Sequence, residues 1–160
     1  MVNIIAIDPG PKESAYVVME NGEITEKGIE ENSNLRDILD DRLDSPCGYE
    51  HDLLIEMVAS YGMAVGKDVF ETCVEIGRFI EAWGGPYKLV YRKDVKMHLC
   101  GSTRAKDSNI RQALIDLYGG SKEKAIGKKA NPGPLYGFKS HLWAALGVAV
   151  TGGKMLEGEQ

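Results

Sequence analysis

Short apolar runs separated by polar turns open the chain, and longer runs with helical spacing follow. Ile4, Ile5, Ala6 and Ile7 lead directly into Asp8, and Pro9-Gly10 then stops the run. The pattern predicts a strand over 2–8 that ends on an acid. Residues 14–19 and 23–29 read as two further strands. Asn21-Gly22 joins them, a dipeptide that suits a tight hairpin because both residues tolerate positive φ. Leu35, Ile38, Leu39 and Leu43 recur at helical spacing behind Ser33-Asn34, either of which can cap a helix, and Pro46 with Gly48 ends that segment. A fourth short run, Leu53-Leu54-Ile55, again finishes on an acid, Glu56.

In the second half, Val69, Phe70, Cys73, Ile76, Phe79 and Ile80 stripe a helix over 67–83, which Gly84-Gly85-Pro86 terminates. Val69, Cys73, Ile76 and Ile80 form one row of that helix, and Phe70, Val74 and Gly77 form a second beside it. One row suits packing on a sheet, and the other suits either a second copy of the chain or a deeper burial in one subunit. Residues 87–91 predict a fifth strand, and 94–99 and 107–117 predict helices. Residues 121–137 are rich in Lys, Gly and Pro without an apolar period, and read as a long loop. An apolar helix with many small residues closes the series over 140–151. The plan is α/β, with one domain over 1–153 and a tail over 154–160.

Two buried strands, each tipped by a carboxylate, suggest a metal site if they lie side by side. An acid at the rim of an apolar strand needs a partner, and a hard divalent cation suits oxygen donors. Charge adds a second signal. The formal net charge is −5, yet residues 86–140 hold twelve Lys and Arg against four Asp and Glu, a local +8 that leaves −13 elsewhere. Basic residues gathered in one segment suit a phosphate backbone, although a solvated basic surface would read the same way. On this basis Arg104, Lys106, Arg111, Lys122, Lys124, Lys128 and Lys129 are candidate phosphate contacts. Three scattered cysteines without a CxxC pair argue against a disulfide framework or a structural zinc site. With no apolar stretch of membrane-spanning length, a cytoplasmic protein is expected, and no membrane partner.

Ile7-Asp8-Pro9-Gly10 opening a hairpin, Ile55-Glu56 ending the fourth strand, and His141 at the start of an Ala-rich last helix occur in this order over residues 4–151. The chain thereby resembles the RuvC-type Holliday-junction resolvases of the RNase H-like superfamily, most closely their phage and prophage relatives. The resemblance implies a five-stranded mixed sheet flanked by helices, a homodimer, and two Mg²⁺ or Mn²⁺ ions per site. Paired phosphodiester hydrolysis at four-way or otherwise branched DNA is the implied activity, with no nucleotide cofactor. Asp8, Glu56 and His141 carry over as metal ligands and catalytic residues. Asp107 is an auxiliary ligand and Lys106 a partner for the scissile phosphate. Tyr61 lies in the stretch where family members present an aromatic to the junction centre. The family's final acid falls at Ala144, which cannot bind metal.

That departure leaves room for other functions. Asp8 before Pro-Gly also suits a simple turn, and His141 also suits a helix cap. A nuclease of the same fold acting on flaps or hybrids, or a junction-binding protein that does not cut, fits the same residues. An ATP-dependent sugar kinase or actin-like fold shares the strand ending in Asp-x-Gly. It requires a second such strand, which this chain lacks.

Overall fold

In the computed structural model, residues 1–42 and 50–159 are described. Five strands form the main sheet: β1 (Ile4–Asp8), β2 (Glu13–Glu20), β3 (Glu23–Glu31), β4 (Asp52–Met57) and β5 (Tyr87–Tyr91), in spatial order β3-β2-β1-β4-β5. The first three form an antiparallel meander, whereas β4 and β5 run parallel to β1. The sheet is therefore mixed, as the family resemblance implied. Asn21 and Gly22 both adopt positive φ (54° and 82°), which matches the twist a two-residue hairpin needs.

Parallel strands need crossovers, and these place helices on both faces. On one face lie α1 (Asn32–Asp41) and α2 (Lys67–Trp83), which pack Leu35, Leu39, Ile76, Phe79 and Trp83 against Ile5, Ile7, Leu53 and Ile55. On the other lie α3 (Arg92–Cys100), α4 (Asp107–Tyr118) and the final helix α6 (Leu142–Gly158), packed on Ile4, Ala6, Leu54 and Val90. The alternation of each strand decides which residue joins which core, so Ile5 and Ala6, adjacent in sequence, belong to opposite layers. Phe70 and Val74 project from α2 into solvent, at 62% and 54% exposure. Among the described residues no helix is long and apolar enough to cross a membrane.

The structure departs from the expected elements in three places. Neither Ser33 nor Asn34 caps α1: its N-cap is Glu31, two residues before Ser33, and no side chain bonds that end. Asn32 is instead buried and serves the first hairpin. Its Oδ1 accepts from the Ser14 hydroxyl at 2.7 Å, its Nδ2 donates to the Gly10 carbonyl at 2.9 Å, and the Gly10 N–H donates to Ser14 Oγ at 3.1 Å. The expected end of that helix, Leu43 with Pro46 and Gly48, lies outside the described residues.

Second, residues 121–137 are not a structureless loop. They contain α5 (Lys122–Ala125) and a small hairpin of β6 (Gly127–Lys128) and β7 (Asn131–Pro132). Ala125 and Leu135 are fully buried and anchor the segment, and the Leu135 N–H donates to the Ala125 carbonyl at 2.7 Å. Third, α6 continues past Thr151 to Gly158. Gly152 and Gly153 would ordinarily weaken a helix. Here they let it lie close on the sheet, since a Cβ at Gly152 would stand 2.5 Å from Leu54 Cδ1 and one at Gly153 would stand 2.8 Å from Ile4 Cδ1.

Candidate active site

Because Ile7 of β1 lies opposite Ile55 of β4, the next residues, Asp8 and Glu56, emerge side by side at the C-terminal edge of the sheet. Both share the strand parity of Ala6 and Leu54, so they face the layer occupied by α6. The Asp-Pro-Gly turn behind Asp8 is fixed by the Ser14–Asn32–Gly10 network, and a Cβ at Gly10 would stand 2.4 Å from the Glu13 carbonyl oxygen. The position of Asp8 is thus set by backbone chemistry on both sides of it.

The two carboxyl side chains are only 11% and 12% exposed. Like charges this close and this dry cannot both ionise without cost. Burial, and then the charge of Asp8, pushes Glu56 up to about 8. Burial also raises Asp8, while a hydrogen bond from Glu56 opposes the shift. Near neutral pH this favours the protonated form of Glu56.

His141 completes the pair's surroundings. Ser140, in the left-handed region at φ 48°, turns the chain into α6, and the His141 ring Nδ1 lies 2.8 Å from Asp8 Oδ2. Although His141 occupies the N-cap position of α6, its side chain makes no capping bond there. The helix-cap role that its place in the sequence also allowed is thus not the one its side chain takes.

Arg92 was absent from the residues singled out in the sequence. It is the first residue of α3, immediately after β5, and its Nη1 lies 3.4 Å from Glu56 Oε1 while its Nη2 donates to Asp107. A signal was available: Arg92 follows the end of the strand parallel to β4, the same kind of position that selects Asp8 and Glu56. Read instead beside Lys93, it passes for part of a solvated basic run.

A cavity of about 490 Å³ gathers Asp8, Glu56, Arg92, Asp107 and His141, with Ala144 on its wall. A smaller one of about 270 Å³ joins Asp8 and Glu56 to Tyr61, whose exposed ring stands on a loop where Tyr61 itself adopts φ 50°. Lys106, exposed, precedes Asp107 at the start of α4, and Arg104 is exposed in the loop before it. Arg111 lies over the Trp143 ring, 4.8 Å from its centroid. Lys122, Lys124, Lys128 and Lys129 are exposed on the α5–β7 segment. The structure thus brings Asp8, Glu56 and His141 together, ties Asp107 to them through Arg92, and sets the other basic residues outside this cluster.

Two carboxylates and an imidazole are donors that suit a divalent ion, Mn²⁺ better than Mg²⁺ where nitrogen takes part. The dry, mutually repelling carboxyl pair supplies the charge such an ion neutralises. Among the described residues, however, no three His, Cys, Asp or Glu side chains are already set to hold one ion. The Glu56 proton and the Arg92 guanidinium supply the neutralisation, and both must give way for a cation to enter.

No protein-family model matches the chain, and neither does any curated protein. Among solved structures, the RuvC structure of Thermus thermophilus is similar over 99% of this chain and 97% of its own, with a TM-score of 0.70 at 15% identity. A structure of T. thermophilus RuvC in complex with a Holliday junction substrate is similar over 94% of this chain and 92% of its own, with a TM-score of 0.60 at 15% identity. The sheet order, its mixed direction and the helices on both faces are those of a RuvC-like, RNase H-like fold.

Proposed function

We propose that this protein is a metal-dependent, structure-selective endonuclease that resolves four-way (Holliday) or branched DNA junctions by paired phosphodiester hydrolysis. One observation carries the reading: Asp8 and Glu56, largely shielded from solvent and adjacent at the ends of parallel strands, with His141 2.8 Å from Asp8. Buried acids that share a proton are unfavourable as structure alone, which supports a role in binding cations. The likeness to RuvC, one structure of which holds a Holliday junction, supports the choice of substrate.

In this reading Asp8, Glu56 and His141 hold Mg²⁺ or Mn²⁺, two ions per site, with Asp107 as the further acid. Such ions supply a hydroxide near neutral pH and neutralise charge that develops on the phosphate. Asp8, flanked by Glu56 and His141, would be the central ligand of this set. Ala144 leaves one donor fewer than the pattern of the resolvases, and Asp107 on the same cavity is placed to stand in for it. Lys106 meets the scissile phosphate, and Arg104, Arg111, Lys122, Lys124, Lys128 and Lys129 track the backbone. Contact with about six phosphates gives a log–log salt slope of roughly −5. Tyr61, exposed beside the acids, stacks on an unpaired base, which contributes about 1–3 kcal/mol.

Paired cuts require two sites, and the exposed Phe70 and Val74 on α2 suit a homodimer face. Val74→Arg then yields a monomer in sedimentation, and an unchanged mass would refute that face. The test of the activity is cleavage of a synthetic four-way junction with Mg²⁺ or Mn²⁺, beside linear duplex and flap substrates, with Asp8→Asn as control. Preference for the junction supports the reading. Equal cutting of flaps favours the broader nuclease, and tight binding without cutting favours a silent junction-binding protein, the reading to which Ala144 lends weight.

A further inference from the structure

We infer that Arg92 is a displaceable counter-ion: it lies against Glu56 and pairs with Asp107 in the resting site, yields both to an incoming divalent cation, and is then free to receive a phosphate of the DNA. This rests on the nuclease reading above and assigns to it a residue that orders the two binding events.

The geometry of the guanidinium sets out the case. Its two terminal nitrogens are divided between two acids, Nη1 toward Glu56 at 3.4 Å and Nη2 toward Asp107, rather than locked in a fork on one. The Glu56 contact is long for a charge-assisted bond, which is ordinarily about 2.7–2.9 Å. Two of the five N–H donors are thus engaged, and the others remain for a further anion. The side chain is 26% exposed and borders the cavity shared by Asp8, Glu56 and His141.

Its position in the fold points the same way. Arg92 is the first residue of α3, where the helix dipole disfavours a cation, and its N-cap side chain offers no bond. What holds the guanidinium there is the acidic group in front of it. A cation that binds Glu56 and Asp107 removes that attraction and adds repulsion, leaving Arg92 beside a positively charged site. A phosphate is the anion that resolves both, and planar guanidinium forks match it well. By linkage, DNA that takes Arg92 must tighten ion binding by the factor with which the ion tightens DNA binding.

The test measures Mn²⁺ affinity by electron paramagnetic resonance without DNA, for the wild type, Arg92→Gln and Arg92→Lys. Junction affinity is measured alongside by anisotropy in Ca²⁺. Removal of the competing charge in Arg92→Gln is expected to tighten Mn²⁺ by about tenfold and to weaken the Ca²⁺-dependent gain in junction binding. Arg92→Lys, which keeps the charge, stays within about twofold of the wild type for Mn²⁺ but loses junction affinity as the glutamine variant does. Arg92→Met, which retains the apolar stem, replaces the glutamine variant if that one fails to fold. Unchanged or weaker Mn²⁺ binding in the uncharged variant overturns the inference, as does tenfold tighter binding in the lysine variant. If the wild type cuts junctions with Mn²⁺ yet the uncharged variant binds the ion no better, this inference falls and the nuclease reading stands. If the wild type neither cuts nor binds Mn²⁺, the nuclease reading falls and takes the inference with it.

Discussion

Two cavities lie at opposite ends of the central sheet, and the larger is chemically the poorer. At the end where β1 begins, about 820 Å³ is lined mainly by apolar groups, including Val2, Ile4, Met19, Leu99, Leu117 and Val150. His98, Lys154 and Glu157 also line it, but no ion pair joins them among the described residues. At the end where β1 and β4 finish, about 490 Å³ holds two largely shielded carboxyls, with a guanidinium against Glu56 and an imidazole against Asp8. The size of a cavity reflects how helices splay at a sheet edge. Its chemistry follows from where strands deliver polar side chains into dry surroundings, and parallel strands deliver them at the C-terminal end.

The contrast breaks most readily at the acidic end. Glu56→Gln is expected to lower junction cleavage by more than about 100-fold. Loss of a side chain that only hydrogen-bonds a metal ligand already costs about 10–100-fold, so on the proposed reading loss of a ligand itself costs more. Steady-state cleavage with circular dichroism as a fold control checks this, and near-normal rates would remove Glu56 from the chemistry.

A pH series sharpens the same contrast without any DNA. Glu56 binds its proton more tightly in the folded chain, up to about 8, than in the unfolded chain near 4.5. Below the unfolded value both states hold the proton and the stabilisation is fully present. Between the two values only the folded state holds it, so stability declines as pH rises and is lost once pH passes about 8. The metal-free protein should therefore melt at a lower temperature at pH 9 than at pH 6. Glu56→Gln should flatten this trend, and divalent cation should offset it. A wild-type melting temperature that rises from pH 6 to pH 9 would contradict the shared proton.

The smallest effect belongs to the apolar end. Leu117 is 60% exposed on the rim of the larger cavity, and Leu117→Glu should change stability by no more than about 0.5 kcal/mol and leave cleavage unaltered. A clear loss of cleavage would show that the two ends are coupled.

How much of this was legible in the sequence depended on whether local pattern and tertiary context agreed. The acid-tipped strands were readable because an apolar run and its stop signal fix both the strand and the exit of the next residue. Arg92 was not, since only the pairing of β4 with β5 brings it to Glu56, and nothing local separates it from Lys93. Asn32 escaped for a similar reason: beside Ser33 and Asn34 it resembles cap chemistry, yet its partners, Ser14 and Gly10, are distant in sequence. The segment over 121–137 has no apolar period because its order rests on a few irregularly spaced residues, Ala125, Ile126 and Leu135, with turns closed at residues such as Gly127, φ 69°. The continuation of α6 was hidden by Gly152-Gly153, whose helix-breaking tendency is offset by close packing on Leu54 and Ile4.

The convergence of Asp8, Glu56 and His141 into a cation site is most directly tested by anomalous diffraction from crystals soaked in Mn²⁺. The account predicts Mn²⁺ peaks within bonding distance of these three side chains, with Arg92 withdrawn from Glu56. A map in which Mn²⁺ leaves that cleft empty while the Arg92–Glu56 contact persists would contradict it.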